Sequence, residues 1–131
     1  YHPYQNIYFN TIFANTIKNI HEKFEIDYWG LSGKKALNEI LVLEKNSNNV
    51  TVGVASYLQL EKSKKLLEKH EREKIKIVGQ EYEKADYIYT NFMSEVDKKY
   101  NDKYNIPKTY SKISTFKLDN ILIYELFKKN R

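Results

Sequence analysis

Apolar and polar positions change period several times along this chain, and each change marks an element. Across residues 34–45 the apolar side chains fall at Ala36, Leu37, Ile40, Leu41 and Leu43, with 36/40 and 37/41 one turn apart. That spacing predicts an amphipathic helix, with Gly30 as the break before it and Ser32 as its N-cap. Residues 46–49 are a polar turn cluster, after which residues 50–55 alternate as a β-branched strand. Residues 59–69 return to helical spacing, with Leu60, Leu66 and Leu67 expected inward and four lysines on the solvated face. Short strands follow at 74–78, built on Ile75 and Ile77, and at 85–90.

Residues 91–108 read as a polar, Tyr/Lys-rich excursion with a helical turn at 94–100. Strands at 110–117 and 121–128 then flank Leu118-Asp119-Asn120; Asp and Asn tolerate the positive φ of a tight turn, so the pair reads as a C-terminal β-hairpin. Before all of this, Phe13, Ile17 and Ile20 suggest a short helix over 11–23, joined to the main body by Phe24-Glu25-Ile26-Asp27-Tyr28-Trp29-Gly30. The order of elements predicts one α/β domain over 24–131, in two or three layers. Its small mixed sheet of about five strands is flanked by helices, has a parallel crossover, and carries the hairpin at one edge.

Composition narrows the picture only slightly. A chain of 131 residues with 41% hydrophobic and 30% charged residues is large enough for a core of its own. Its longest aliphatic run, Ile40-Leu41-Val42-Leu43, is far short of a membrane span. The chain has no cysteine, which excludes disulfides, thiolate nucleophiles and Cys-based zinc sites. It opens on an aromatic stretch without an initiator Met, as a piece of a longer protein would. The net charge of +5 comes from 22 basic and 17 acidic residues that are interspersed, alongside abundant Lys, Asn, Ile and Tyr. Biased codon usage accounts for that pattern better than an electrostatic partner does.

Candidate chemistry is sparse. His2, His21 and His70 lie in unrelated segments and lack the second His of a helical zinc motif. The four glycines are too scattered for a phosphate loop, and no serine sits in a nucleophile elbow. Ser56 follows the 50–55 strand and precedes a helix, where an open α/β sheet binds ligands. Glu25 and Asp27 form an acidic pair without further oxygen ligands, so no metal is expected. Lys98, Lys99, Tyr100, Lys103, Tyr104, Lys108 and Tyr110 would suit single-stranded nucleic acid, but Asp97 and Asp102 dilute them and no nucleic-acid module is recognisable. No catalytic residue and no cofactor is expected, and nucleic acid is not expected as a partner.

Three segments carry a family resemblance. His2-Pro3-Tyr4-Gln5-Asn6-Ile7-Tyr8-Phe9-Asn10, then Asp27-Tyr28-Trp29-Gly30-Leu31-Ser32, then Lys35-Ala36-Leu37 resemble the tail of bacterial membrane glycosyltransferases of the GT-C fold, the dolichyl-phosphate-mannose-protein mannosyltransferase-like group. The α/β remainder is similar too, in patterns common to many domains. The resemblance implies a soluble extracytoplasmic domain on the periplasmic side of the inner membrane, part of an integral membrane protein that uses a polyprenyl-phosphate sugar. The family's catalytic acid lies in an early loop between membrane helices, outside this chain, so no catalytic role carries over. Residues 1–23 become a juxtamembrane linking segment, with Tyr4, Gln5, Tyr8 and Asn10 just beyond the last membrane helix. Asp27, Tyr28, Trp29 and Gly30 would open the domain, with Trp29 either a core anchor or a surface that stacks on sugar or docks on membrane.

The implied role is acceptor binding, docking or stability. The implied partners are the membrane-embedded part of the same polypeptide and a glycan or polyprenyl-linked sugar. A stand-alone carbohydrate- or protein-binding module is the alternative, and a basic nucleic-acid-binding domain ranks behind it.

Overall fold

A computed structural model of the chain describes residues 31–93, 104–118 and 120–131. The short helix at 11–23, the Glu25/Asp27 pair and the helical turn at 94–100 lie outside them. Helix α1 (Leu31–Leu43) leads to strand β1 (Val50–Val54). Two short helices follow, α2 (Leu60–Lys64) and α3 (Lys69–Arg72), and then β2 (Ile75–Gly79). A 3-10 turn at Tyr82–Lys84 precedes β3 (Tyr87–Thr90), and β4 (Tyr110–Leu118) with β5 (Ile121–Lys129) ends the fold. The five strands form one mixed sheet in the order β2-β1-β3-β5-β4. β1 pairs parallel with both β2 and β3, and the β4–β5 hairpin joins antiparallel through β5 against β3. The α/β class, the parallel crossover and the C-terminal hairpin all stand as the sequence predicts. Asn120 closes the hairpin turn at φ 65°, the left-handed conformation that Asn accepts more readily than most residues.

Alternation along the strands divides the interior in two. Val50, Val52, Val54, Ile75, Tyr87 and Tyr89 point toward the helices and pack with Ala36, Leu37 and Ile40 of α1 and Leu60 of α2. On the opposite face Ala55, Ile88 and Tyr110 pack with Tyr82 and Ala85 of the 3-10 segment. The fold is therefore two principal layers with a thin cover on the back. Gly53 permits that cover: a Cβ on it would collide with the Cβ of Tyr82. Gly33 does the same for the front, where α1 lies directly against Ser63 and Leu60 of α2.

Two expectations need correction. Ser32 is not an N-cap, because α1 already begins at Leu31; Ser32 faces inward and its Oγ shares a hydrogen bond of 2.6 Å with the Tyr89 hydroxyl. The helix expected over 59–69 is two pieces, with Leu60 and Leu67 buried but Leu66 64% exposed. The cause lies in the backbone. After Lys65 N–H bonds the Glu61 carbonyl, Leu66 and Leu67 bond only three residues back, to Ser63 and Lys64. That tightening changes the helical register, turning Leu67 into the core and Leu66 out.

The front layer is fixed by three tyrosines. Tyr87, Tyr89 and Tyr124 are fully buried, and each reaches a polar partner on α1 or just past its end. Tyr89 meets Ser32, the Tyr124 hydroxyl donates to Glu39 Oε1, and the Tyr87 hydroxyl donates to Glu44 Oε1 at 2.6 Å. A buried hydroxyl with no partner costs ~1–3 kcal/mol, so these bonds let large aromatic rings fill the interface without that penalty. They also set the position of α1 along the sheet at three points.

Candidate functional site

Of the residues singled out from the sequence, Tyr4, Gln5, Tyr8, Asn10, Asp27, Tyr28 and Trp29 lie outside the described residues. Ser56 lies within them, at the C-terminal end of the parallel strands. There the β1 chain continues its pairing past Val54: Ala55 N–H donates to the Tyr89 carbonyl at 2.8 Å, and Tyr57 N–H to the Met93 carbonyl at 3.0 Å. The return from β3 is a tight turn with Phe92 at φ 63°. The Thr90 and Asn91 side chains accept the backbone N–H groups of Phe92 and Met93. Between these two chains Ser56 is 1% exposed, and its Oγ has no hydrogen-bond partner among the described residues. The C-terminal end of the parallel strands thus holds one hydroxyl that is closed to solvent and has no partner among the described residues.

At the opposite edge of the sheet a polar cluster closes the N-terminal ends of β1 and β3. Glu44 accepts from Lys128 Nζ at 2.8 Å and from the Tyr87 hydroxyl on one oxygen, and from Ser47 Oγ at 2.9 Å on the other. The hydrogen bond from Lys128, then those from Tyr87 and Ser47, hold the Glu44 carboxyl down at about 2 from its ordinary 4.5. The same contact with Glu44 raises Lys128, and burial raises Tyr87. Beside them Asp86 Oδ2 accepts both Thr51 N–H and Thr51 Oγ, at 2.8 and 2.6 Å, joining the starts of β1 and β3. These groups satisfy one another and tie α1, β1, β3 and β5 together.

Tyr110, counted in the sequence among possible base-stacking residues, is buried in the back core. Its hydroxyl donates to the Ala85 carbonyl at 2.6 Å, with the Tyr82 and Glu83 carbonyls at 2.9 and 3.0 Å. Burial is also the main reason its pKa is raised. Tyr110 is therefore a structural residue, with no free ring face for a base. Tyr104 accepts a hydrogen bond from Gln80 Nε2. Lys98, Lys99, Tyr100 and Lys103 lie outside the described residues.

Two surface features remain. The first is a groove of about 720 Å³ between α1 and the edge strand β4, lined by the apolar Leu31, Val42, Leu43 and Ile113 together with Lys34, Lys35, Asn38, Glu39 and Ser114. Ile113 reaches it because β4 bulges. Pairing with β5 steps from Lys112↔Phe127 to Ser114↔Leu126, so Ile113 has no residue opposite it. Glu39 anchors the groove floor by accepting from Tyr124 and from Ser114 Oγ at 2.8 Å.

The second is a concavity of about 490 Å³ under α2 and α3, lined by Lys64, Lys65, Lys69 and Arg72 with Glu61, Glu73 and Ile75. The sequence marked these lysines only as a solvated face. The groove had one sequence signal, Val42 beside the apolar stripe of α1; Leu43, read from the sequence as part of that stripe, is 57% exposed. Ile113 had none, because a bulge leaves no trace in alternation.

Among the described residues no group of three or more His, Cys, Asp or Glu side chains could hold a metal ion, and no helix is long and apolar enough to cross a membrane. The fold is a mixed five-stranded α/β sheet with its helices chiefly on one face. Comparison with known proteins adds no relative to it: no family model, curated protein or solved structure matches the chain.

Proposed function

We propose that this chain is a non-catalytic extracytoplasmic domain of a polyprenyl-phosphate-sugar-dependent membrane glycosyltransferase, and that its role is to dock against the membrane-embedded part of the same polypeptide. The observation that carries the docking role is the α1–β4 groove. Val42 at 62% and Leu43 at 57% exposure lie on the side of α1 turned away from its own core, with Ile113 facing them from the bulged edge. Apolar side chains gathered in a groove, rather than scattered singly, mark a surface that gains by being covered. Leu31, one of its lining residues, follows directly on the Asp27-Tyr28-Trp29-Gly30 motif that carries the family resemblance. The polar groups near the core support the non-catalytic part of the reading. Glu39, at the α1–β4 groove, and Glu44 and Asp86, in a pocket of about 310 Å³ at the start of β1 and β3, accept hydrogen bonds that hold elements together, so their carboxylates are committed to the structure.

The test is made in the longer membrane polypeptide. Val42→Asp with Ile113→Asp should lower sugar transfer by at least about tenfold, the effect of displacing a positioned partner, while leaving the melting temperature of the 131-residue chain unchanged. Unchanged transfer would sink the docking role. Turnover by the isolated chain, abolished by a point change within it, would sink the non-catalytic reading. A gene whose upstream region encodes only a soluble domain would sink the membrane parent.

A further inference from the structure

The α2–α3 turn brings an exposed leucine and a group of cations into one short stretch of chain. Leu66 is 64% exposed at its apex. On either side of it in the chain, Lys64, Lys65, Lys69 and Arg72 line a single concavity. Three lysines elsewhere pair with carboxylates: Lys35 with Glu39, Lys112 with Glu125, and Lys128 with Glu44. Among the described residues none of the four cations at this turn forms an ion pair, although Glu61 and Glu73 line the same concavity. Glu61 and Lys65 have the i,i+4 spacing that favours a pair on a continuous helix, but α2 ends at Lys64. Glu71 is engaged by the Glu68 backbone N–H at 2.9 Å, closing the first turn of α3. Four cations without an ion pair among the described residues therefore lie within six residues of an exposed leucine.

We propose that this turn is a docking face for the anionic surface of a lipid bilayer, with Leu66 entering the headgroup–acyl boundary and Lys64, Lys65, Lys69 and Arg72 meeting lipid phosphates. A bilayer accommodates both features at once, because apolar side chains gain at its boundary while cations gain at its surface. A nucleic-acid backbone would reward the cations but leave Leu66 in water, and α2 and α3 carry no Phe, Tyr or Trp on which a base could stack, the His70 imidazole being their one ring. The inference rests on this surface alone and holds whatever protein the chain belongs to.

The full chain is incubated with vesicles of phosphatidylcholine and with vesicles in which about a third of the lipid is phosphatidylglycerol, and bound protein is measured by flotation. Binding is expected to the anionic vesicles and to fall as salt shortens the screening length. Lys64→Gln, Lys65→Gln and Lys69→Gln together should weaken it on the order of 100-fold, about fivefold per cation. Leu66→Ser should weaken it at unchanged salt dependence. These positions lie at the surface, and circular dichroism of each variant checks that the fold is kept. Equal binding to both vesicle types, or anionic binding that the triple variant retains, overturns the proposal. So does duplex or single-stranded nucleic acid bound by the wild type, lost in the triple variant and unaffected by Leu66→Ser, since that identifies a polyanion site instead.

Discussion

Replacing Glu44 by Gln tests whether α1 is held to the sheet by the charged cluster at its C-terminal end. The carboxylate accepts from Lys128, Tyr87 and Ser47, and its pKa falls from 4.5 to about 2. Because the folded-state value lies below the unfolded one, the stabilisation is fully present above pH about 4.5 and is lost as pH falls toward about 2. A shift of that size corresponds at most to about 3 kcal/mol. The Lys128 side chain is 38% exposed, however, and solvent screening reduces the expected value to about 1–2 kcal/mol. Urea unfolding of wild type and Glu44→Gln at neutral pH should show that difference in midpoint at constant slope. Repeated at successively lower pH, the two curves should converge through the window between about 4.5 and 2, because the protonated wild-type carboxyl then resembles the amide. Other carboxylates titrate there too, so the difference between the two proteins carries the information. A gap that stays constant through the window, or a Glu44→Gln protein within about 0.3 kcal/mol of wild type at pH 7, would refute the assignment.

Gly53→Ala should destabilise by about 2–3 kcal/mol, because its Cβ meets the Cβ and backbone of Tyr82 and the cover over the back face must shift; an unchanged urea midpoint would show that face to be loose. Ser56→Ala should be neutral or stabilise by up to about 1 kcal/mol, since it removes a buried hydroxyl that has no partner; a loss greater than about 1 kcal/mol would reveal one. Tyr110→Phe should cost about 1–2 kcal/mol by leaving the Ala85, Tyr82 and Glu83 carbonyls without their donor, and hydrogen exchange should then rise in the 3-10 segment before it rises in β5.

What the sequence showed of this fold follows from the range of the forces involved. The strands at 50–55, 74–78, 85–90 and the two of the hairpin were legible because alternation is a local signal, and each strand carries it whatever lies beside it. The C-terminal turn was legible for the same reason, since Asn120 meets its φ requirement within its own residue. The helix over 59–69 failed because periodicity counts positions and does not see a change of hydrogen-bond register at Leu66 and Leu67. Strand order lay beyond the pattern altogether. β3 lies beside β1, with β2 on the other flank, because a seven-residue connection crosses the back face where Gly53 leaves room for Tyr82.

The tyrosines show where a compositional reading stops. Twelve in 131 residues fitted biased codon usage as well as they fitted interface or stacking roles, and nothing local separated these possibilities. In the fold, Tyr87, Tyr89, Tyr110 and Tyr124 bring their rings into the interior and their hydroxyls to a carboxylate, a serine or a carbonyl at its margin. Partners as far apart as Glu39 and Tyr124 meet only once the sheet is assembled. One trace was nonetheless present: Ser32 and Glu39 lie seven residues apart, on the same side of α1 as the buried Ala36, Leu37 and Ile40. A buried polar residue such as Ser32 beside an apolar stripe calls for a hydrogen-bond partner, and tyrosine, with twelve copies, was one abundant side chain able to bring a hydroxyl to it while burying its ring. The same logic separates the groove from the core. Val42 and Leu43 leave the stripe at the end of α1, and no described residue covers them.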